Sequence, residues 1–237
     1  MKSFRSKAIA CTVASLTLMS LSTYNASFSV ADDANLCSHN SADQLDLKKA
    51  TDLKTAETYQ ILAGAALTLG ATELGVVDTS TGINGDAVAD LSAAIACIGA
   101  LPGYTGTADL GGLTYTPGVY LSPGGAAMAV TGNVVLDAKG DPDAYFIFYT
   151  PAALNTTASI TVTLKCGAQA KNVFWVAGGA ITTGASDVLV GTFMSNAAIT
   201  TGASSLITGR LMAAAAVTVG ASNIFSPFNM KNHKRGT

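Results

Sequence analysis

The chain has 237 residues, 49% of them hydrophobic and 12% charged, with a formal net charge of −2 at neutral pH. That is room for one large domain with trimmings and a sizeable core, at about half the usual globular share of charge. The net charge gives no sign of a polyanion partner, and the densest basic clusters lie at the two ends, from Lys2 to Lys7 and from Lys231 to Arg235, so no basic groove for nucleic acid is expected.

In chain order, residues 1–31 read as a secretory signal peptide. Lys2, Arg5 and Lys7 precede a short apolar run from Ala8 to Leu21, too short for a comfortable membrane span. Ser29-Val-Ala31 offers small residues before a cleavage site, and cleavage after Ala26 and an uncleaved anchor are the alternatives. The expectation is a secreted, extracellular protein with no membrane association after cleavage. Residues 32–52 form a polar arm or a short helix, since Ser41-Ala-Asp-Gln44 fits a capping box.

The β region, residues 53–225, opens with Tyr59-Gln-Ile-Leu-Ala-Gly-Ala-Ala-Leu-Thr-Leu69. One helix is predicted within it, over 86–101. Asp86 caps it, Val88, Leu91, Ala94, Ile95 and Ile98 form one apolar stripe, and Gly99 and Pro102 end it. An amphipathic helix among strands should lie along the flank of the β stack. From Gly111 the pattern is strand and turn, and Ala144-Tyr-Phe-Ile-Phe-Tyr149 and Val173-Phe-Trp-Val176 read as strands buried deep in a core. Residues 226–237 read as a frayed tail.

Three nearly identical segments recur within this region. They are Ala180-Ile-Thr-Thr-Gly-Ala-Ser186, Ala198-Ile-Thr-Thr-Gly-Ala-Ser204 and Ala216-Val-Thr-Val-Gly-Ala-Ser222, at a constant step of 18 residues. A fixed step of this size means stacked coils. A fourth copy, Ala66-Leu-Thr-Leu-Gly-Ala-Thr72, lies far away in sequence. The N-terminal coil should therefore stack beside the C-terminal ones.

Side chains alternate across a strand. The second position is always aliphatic (Leu67, Ile181, Ile199, Val217) and points in, whereas Thr68, Thr182, Thr200 and Thr218 at the third point out. The fourth, Thr183, Thr201, Val219 and Leu69, accepts Thr, Val or Leu and reads as inward or half-buried. Gly70, Gly184, Gly202 and Gly220 mark the corner, with Ser186, Ser204 and Ser222 just past it. Stacking spaces the outward threonines about 4.8 Å apart, and Ala180, Ala198 and Ala216 lie roughly 6.7 Å away along the strands. The product is a flat, half-apolar array that suits a repeating lattice. From Ala177 to Ser226 the only charged residues are Asp187 and Arg210, unlike an ordinary solvated strand face.

Catalytic constellations are weak. Asp109, Asp137, Asp141, Asp143 and Asp187 mostly sit at turn-like positions, where Asp bonds the backbone, and His39 and His233 lie in the arms. Neither a metal-ligand spacing nor a cofactor motif occurs. Cys37, Cys97 and Cys166 remain after signal removal. Cys37 and Cys97 are the favoured pair, and Cys166 reads as a small buried residue. Asn155-Thr-Thr157 fits a glycosylation acceptor.

Five motifs occur in order: Tyr59-Gln-Ile-Leu-Ala-Gly64, Asp109-Leu-Gly-Gly-Leu-Thr-Tyr-Thr-Pro-Gly-Val-Tyr120, Leu136-Asp-Ala-Lys-Gly-Asp-Pro-Asp-Ala-Tyr-Phe-Ile-Phe148, Asn172-Val-Phe-Trp175 and Thr208-Gly-Arg-Leu-Met-Ala213. From about Leu53 to Phe225 the set resembles the ice-binding-like family of secreted microbial antifreeze proteins. The resemblance implies an all-β solenoid, an irregular right-handed three-faced β-helix with one long α-helix packed alongside. It also implies adsorption to ice through one flat β face, with no chemistry.

The family's ice-face pattern of Thr-Gly/Ala-x-Thr/Asn is matched loosely by Thr183-Gly-Ala-Ser186 and Thr201-Gly-Ala-Ser204, and Val219-Gly-Ala-Ser222 breaks it. This pattern adds Thr183, Thr201, Ser186, Ser204 and Ser222 to the candidate face. Between the first coil and the helix only Ala71 to Gly85 intervenes, where many relatives carry a longer insert. The expected partner is the surface of an ice crystal, met by a monomer that is not an enzyme. The alternative is a secreted carbohydrate-binding or adhesive solenoid that uses Tyr104, Tyr115 and Tyr120 as a sugar platform.

Overall fold

The structure, a computed structural model, describes residues 51, 53–70, 81, 82 and 84–226. The proposed signal, almost all of the arm, and the tail beyond Ser226 lie outside the described residues, as do Cys37, His39 and His233.

Among the described residues all the strand pairs are parallel, and they build three faces of a β-helix. The first face runs, in spatial order, through Thr81–Gly82, Ile61–Ala63, Leu206–Ala213, Val188–Ser195, Val173–Ala177, Phe146–Thr150, Gly118–Leu121 and Tyr104–Thr105. The second holds Leu67–Leu69, Val217–Val219, Ile199–Thr200, Ile181–Thr182, Leu154–Thr156 and Met128–Val130. The third holds Val162–Lys165, Val134–Asp137 and Thr114–Tyr115 and is continued by the leading halves of the two eight-residue strands.

Those two strands turn the edge between the third and first faces without a loop, bending at Gly191 and Gly209, which stack in register. Gly191 has φ 115°, and a Cβ on Gly209 would stand 1.9 Å from the Gly191 carbonyl oxygen. No other residue fits there.

The stack is not laid down in chain order. Ile61–Ala63 pairs with Leu211–Ala213, and Leu67–Leu69 pairs with Val217–Val219. The N-terminal coil thus closes onto the C-terminal one, as the fourth repeat copy implies.

Inside, register partners Tyr120, Phe148, Trp175 and Phe193 form a column of near-parallel rings, with neighbouring centroids 5.2, 4.5 and 6.0 Å apart. The indole Nε1 of Trp175 donates to the Val190 carbonyl at 2.9 Å. The aromatic runs are therefore core, because each ring lies over its equivalent in the next coil.

The helix spans Gly85–Gly99, slightly offset from the predicted 86–101. Its cap is Asn84, whose side chain accepts from the amides of Asp86 and Ala87, so Asp86 belongs to the first turn and is not the cap. Ala87, Leu91, Ala94, Ile95 and Ile98 are buried, and Val88 is half-buried. They pack on Leu62, Ile147, Phe174, Val176, Met194 and Met212, the outward side chains of the first face. Each large aliphatic side chain buried in this way contributes about 1.5–3 kcal/mol. The short 3-10 turn Lys54–Thr58 joins the cluster through Ala56, and Thr55 bonds to Asp90 of the helix. One face is thereby taken by the helix, leaving the second face to solvent.

Cys97, on the helix, is disulfide-bonded. Cys166 is a half-buried thiol at a left-handed turn (φ 49°), just past the strand where the sequence placed it. It bonds to Asp137.

Candidate functional site

The second face carries one outward row in strict register. Ala129, Asn155, Thr182, Thr200, Thr218 and Thr68 follow one another across adjacent strands. All four threonines and Asn155 are exposed. Behind them Met128, Leu154, Ile181, Ile199 and Val217 are at most 1% exposed and fill the core. The period of two sets this division, and the stiff χ1 of threonine leaves each rung little freedom.

Backbone bonds tie the strands of the row together in register. The amides of Leu154, Ile181, Ile199 and Val217 donate to the carbonyls of Ala180, Ala198, Ala216 and Ala66 at 3.0, 3.0, 2.9 and 2.8 Å. Thr183 and Thr201 amides donate to Thr200 and Thr218 carbonyls, each at 2.9 Å. Ala180, Ala198 and Ala216 are half-buried beside the row.

Thr183 and Thr201 depart from the expected site. They are 4% and 3% exposed and face inward, as alternation requires and the family pattern does not. Their hydroxyls accept from the amides of Gly202 and Gly220 at 3.3 and 3.1 Å. Thr156 repeats the arrangement one coil earlier, accepting from the Gly184 amide at 2.8 Å. These threonines tie successive coils together from within.

The corner is built differently from its sequence reading. The glycines there are not left-handed; Cβ atoms on Gly184, Gly202 and Gly220 would lie 2.5, 2.3 and 2.6 Å from the neighbouring coil's backbone. Glycine is needed for that close approach, and serine takes the left-handed turn. Ser186, Ser204 and Ser222 all have φ 59° and are exposed. Next comes a buried polar column. Asp187 accepts from the Ile160 amide at 3.1 Å and the Thr156 hydroxyl at 2.6 Å. Ser205 Oγ accepts from the Asp187 amide at 3.2 Å, and Asn223 Oδ1 from the Ser205 amide at 2.8 Å.

Sequence reasoning missed that Asn155 and Ala129 belong to the row, and it missed the inner column. Leu154-Asn-Thr-Thr-Ala-Ser159 is a fifth copy of the repeat, ending in the left-handed Ser159 (φ 65°). It falls out of step because residues 166–172, with their 3-10 turn, separate Val162–Lys165 from Val173–Ala177; later coils make that transition within one strand.

The carboxylates are structural. Hydrogen bonds from the Thr131 hydroxyl and the Gly111 amide hold Asp109 below its ordinary range. Burial pushes Asp137 up, but the Lys139 amide and ammonium bond it and carry it below the usual value. Asp141 accepts from the Asp143 amide. Asp187, which lies just past the threonine face, is fully buried. Arg210 belongs to a first-face strand; its Nη1 donates to the Glu57 carbonyl, and burial lowers its pKa. The outward row is thus uncharged. Of the three tyrosines considered as a sugar platform, Tyr115 is buried, Tyr120 stacks within the core column, and Tyr104 is 69% exposed.

This geometry, three faces with one helix-covered and one bearing a threonine row, coincides with a family match over residues 6–225, described as ice-binding-like. The chain belongs to the ice-binding-like family. A protein of Nostoc sp. (strain HG1) named ice-binding protein is 40% identical over 87 residues, 37% of this chain and 31% of that one. Another of that name from Lentinula edodes is 37% identical over 89 residues, 38% of this chain and 30% of that one. These matches span under a third of the length of either relative. Among solved structures, the ice-binding protein from the Antarctic ascomycete Antarctomyces psychrotrophicus superposes with a TM-score of 0.67 at 32% identity. That superposition covers 76% of this chain and 98% of the other. The three-faced β-helix is the family's fold.

Proposed function

We propose that this protein binds ice through the second face, and that it does so as a secreted monomer without catalysis. The observation that carries the reading is the exposed, in-register row of Thr68, Thr182, Thr200 and Thr218 on hydrogen-bonded parallel strands. Each rung presents one methyl and one hydroxyl, and its neighbours are the half-buried Ala180, Ala198 and Ala216 and, at the corner, the exposed Ser186, Ser204 and Ser222. Such a surface orders water in a repeating pattern, adsorbs when that water joins the crystal, and pins the growing front. Relatives named ice-binding protein support the reading. Secretion is supported by the signal-like N-terminus.

The direct test is growth of a single-crystal ice hemisphere in a solution of the fluorescently labelled protein. Label taken up on defined planes supports the reading, and label excluded from the ice refutes it.

A further inference from the structure

Asn155 sits in the outward row, paired with Ala129 on one side and Thr182 on the other, and its side chain is exposed. It opens Asn155-Thr156-Thr157, an acceptor sequence for N-linked glycosylation with no proline at the middle position. The inward neighbour Thr156 is locked by its bonds to Asp187 and the Gly184 amide, which fixes Asn155 outward.

The fold also leaves time for modification. The strand Leu154–Thr156 needs both Met128–Val130 and Ile181–Thr182 before it is paired, and the stack closes only when Ile61–Ala63 meets Leu211–Ala213. Pairing over such sequence separations is slow. The acceptor strand therefore cannot complete its pairing before Ile181–Thr182 has been made.

We propose that Asn155 is an N-glycosylation site set within the ice-adsorbing face, and that its occupancy turns the face off; this rests on the ice-binding reading. In the transfer, Asn155 Nδ2 bonds to the anomeric carbon of a lipid-linked oligosaccharide pyrophosphate. The bond from that carbon to the pyrophosphate oxygen breaks, and the amide gives up one proton to a base. The glycan, bulky and hydrated, then stands one rung, about 4.8 Å, from Thr182. It holds the plane away from any flat crystal. Bare, the same position leaves the row open.

The test uses the full chain secreted from a eukaryotic host that carries the transferase. It is compared with Thr157→Ala, which destroys the acceptor but keeps Asn155, and with the native sequence made under an inhibitor of glycan transfer. Peptide mass reads occupancy, circular dichroism reads the fold, and thermal hysteresis reads adsorption. The expected result is a glycan on Asn155 and loss of thermal hysteresis in the native sequence, with activity present in both bare forms. An unmodified Asn155 in the secreted native sequence overturns the proposal, as does a glycosylated protein as active as the bare forms. Bare, folded protein without ice activity overturns the ice-binding reading itself, and the switch with it.

Discussion

Thr218 and Thr68 are register partners on neighbouring parallel strands, although they come from opposite ends of the β region. Their pairing makes the row four threonines long and seals the C-terminal coil with the N-terminal one. Ile61, fully buried and paired with Leu211, anchors that closure. Ile61→Ala should therefore cost about 2–5 kcal/mol, seen as a lower denaturation midpoint. The charge and hydroxyl pattern of the face stays unaltered.

The outward and inward threonines should behave in opposite ways. Thr201→Val removes the acceptor for the Gly220 amide at 3.1 Å and for Asn223 Nδ2 at 2.8 Å. Leaving buried donors unmatched should lower stability by about 1–3 kcal/mol. Thr200→Val, one residue away and exposed, should change stability by within about 0.5 kcal/mol. Chemical denaturation of the two variants side by side checks this. Equal losses would place Thr201 and Thr200 on the same side of the strand.

Acidity should affect the fold without tuning the face. Asp109 and Asp137 have folded pKa values below their ordinary range. Depressed carboxylates contribute stability that is complete above the unfolded value of about 3.9 and is lost as pH falls through the folded one. Burial raises Tyr115, Tyr120 and Tyr145, so their contribution is lost above about pH 10. The outward row holds no titratable side chain. Thermal hysteresis should therefore be level between about pH 5 and 9, with the melting temperature falling only in acid or strong alkali. A titration of ice activity near neutrality would point to a different face.

Much of this arrangement could be read from the chain. The step of 18 residues gave the coils, the invariant third position gave the outward row, and Ala66–Thr72 gave the out-of-order stacking. The helix stripe was legible because its period differs from that of the strands around it. What escaped depended on contacts between coils. Glycine at the corner looks like a turn residue, yet it is required by a neighbouring backbone close to where a Cβ would sit. Thr183 and Thr201 look like the exposed hydroxyls of the family pattern, but alternation turns them inside, where glycine amides need an acceptor. Asn155 was hidden by the turn at residues 166–172, which lengthens its coil and breaks the regular step.

The most direct measurement is thermal hysteresis of Thr200→Tyr set against its melting temperature. Thr200 is flanked in register by Thr182 and Thr218, so a ring there lifts the plane off ice at its centre. Thermal hysteresis should fall sharply while the melting temperature stays nearly where it was. Full activity in a folded Thr200→Tyr protein would contradict adsorption through this row and move the ice contact to another face.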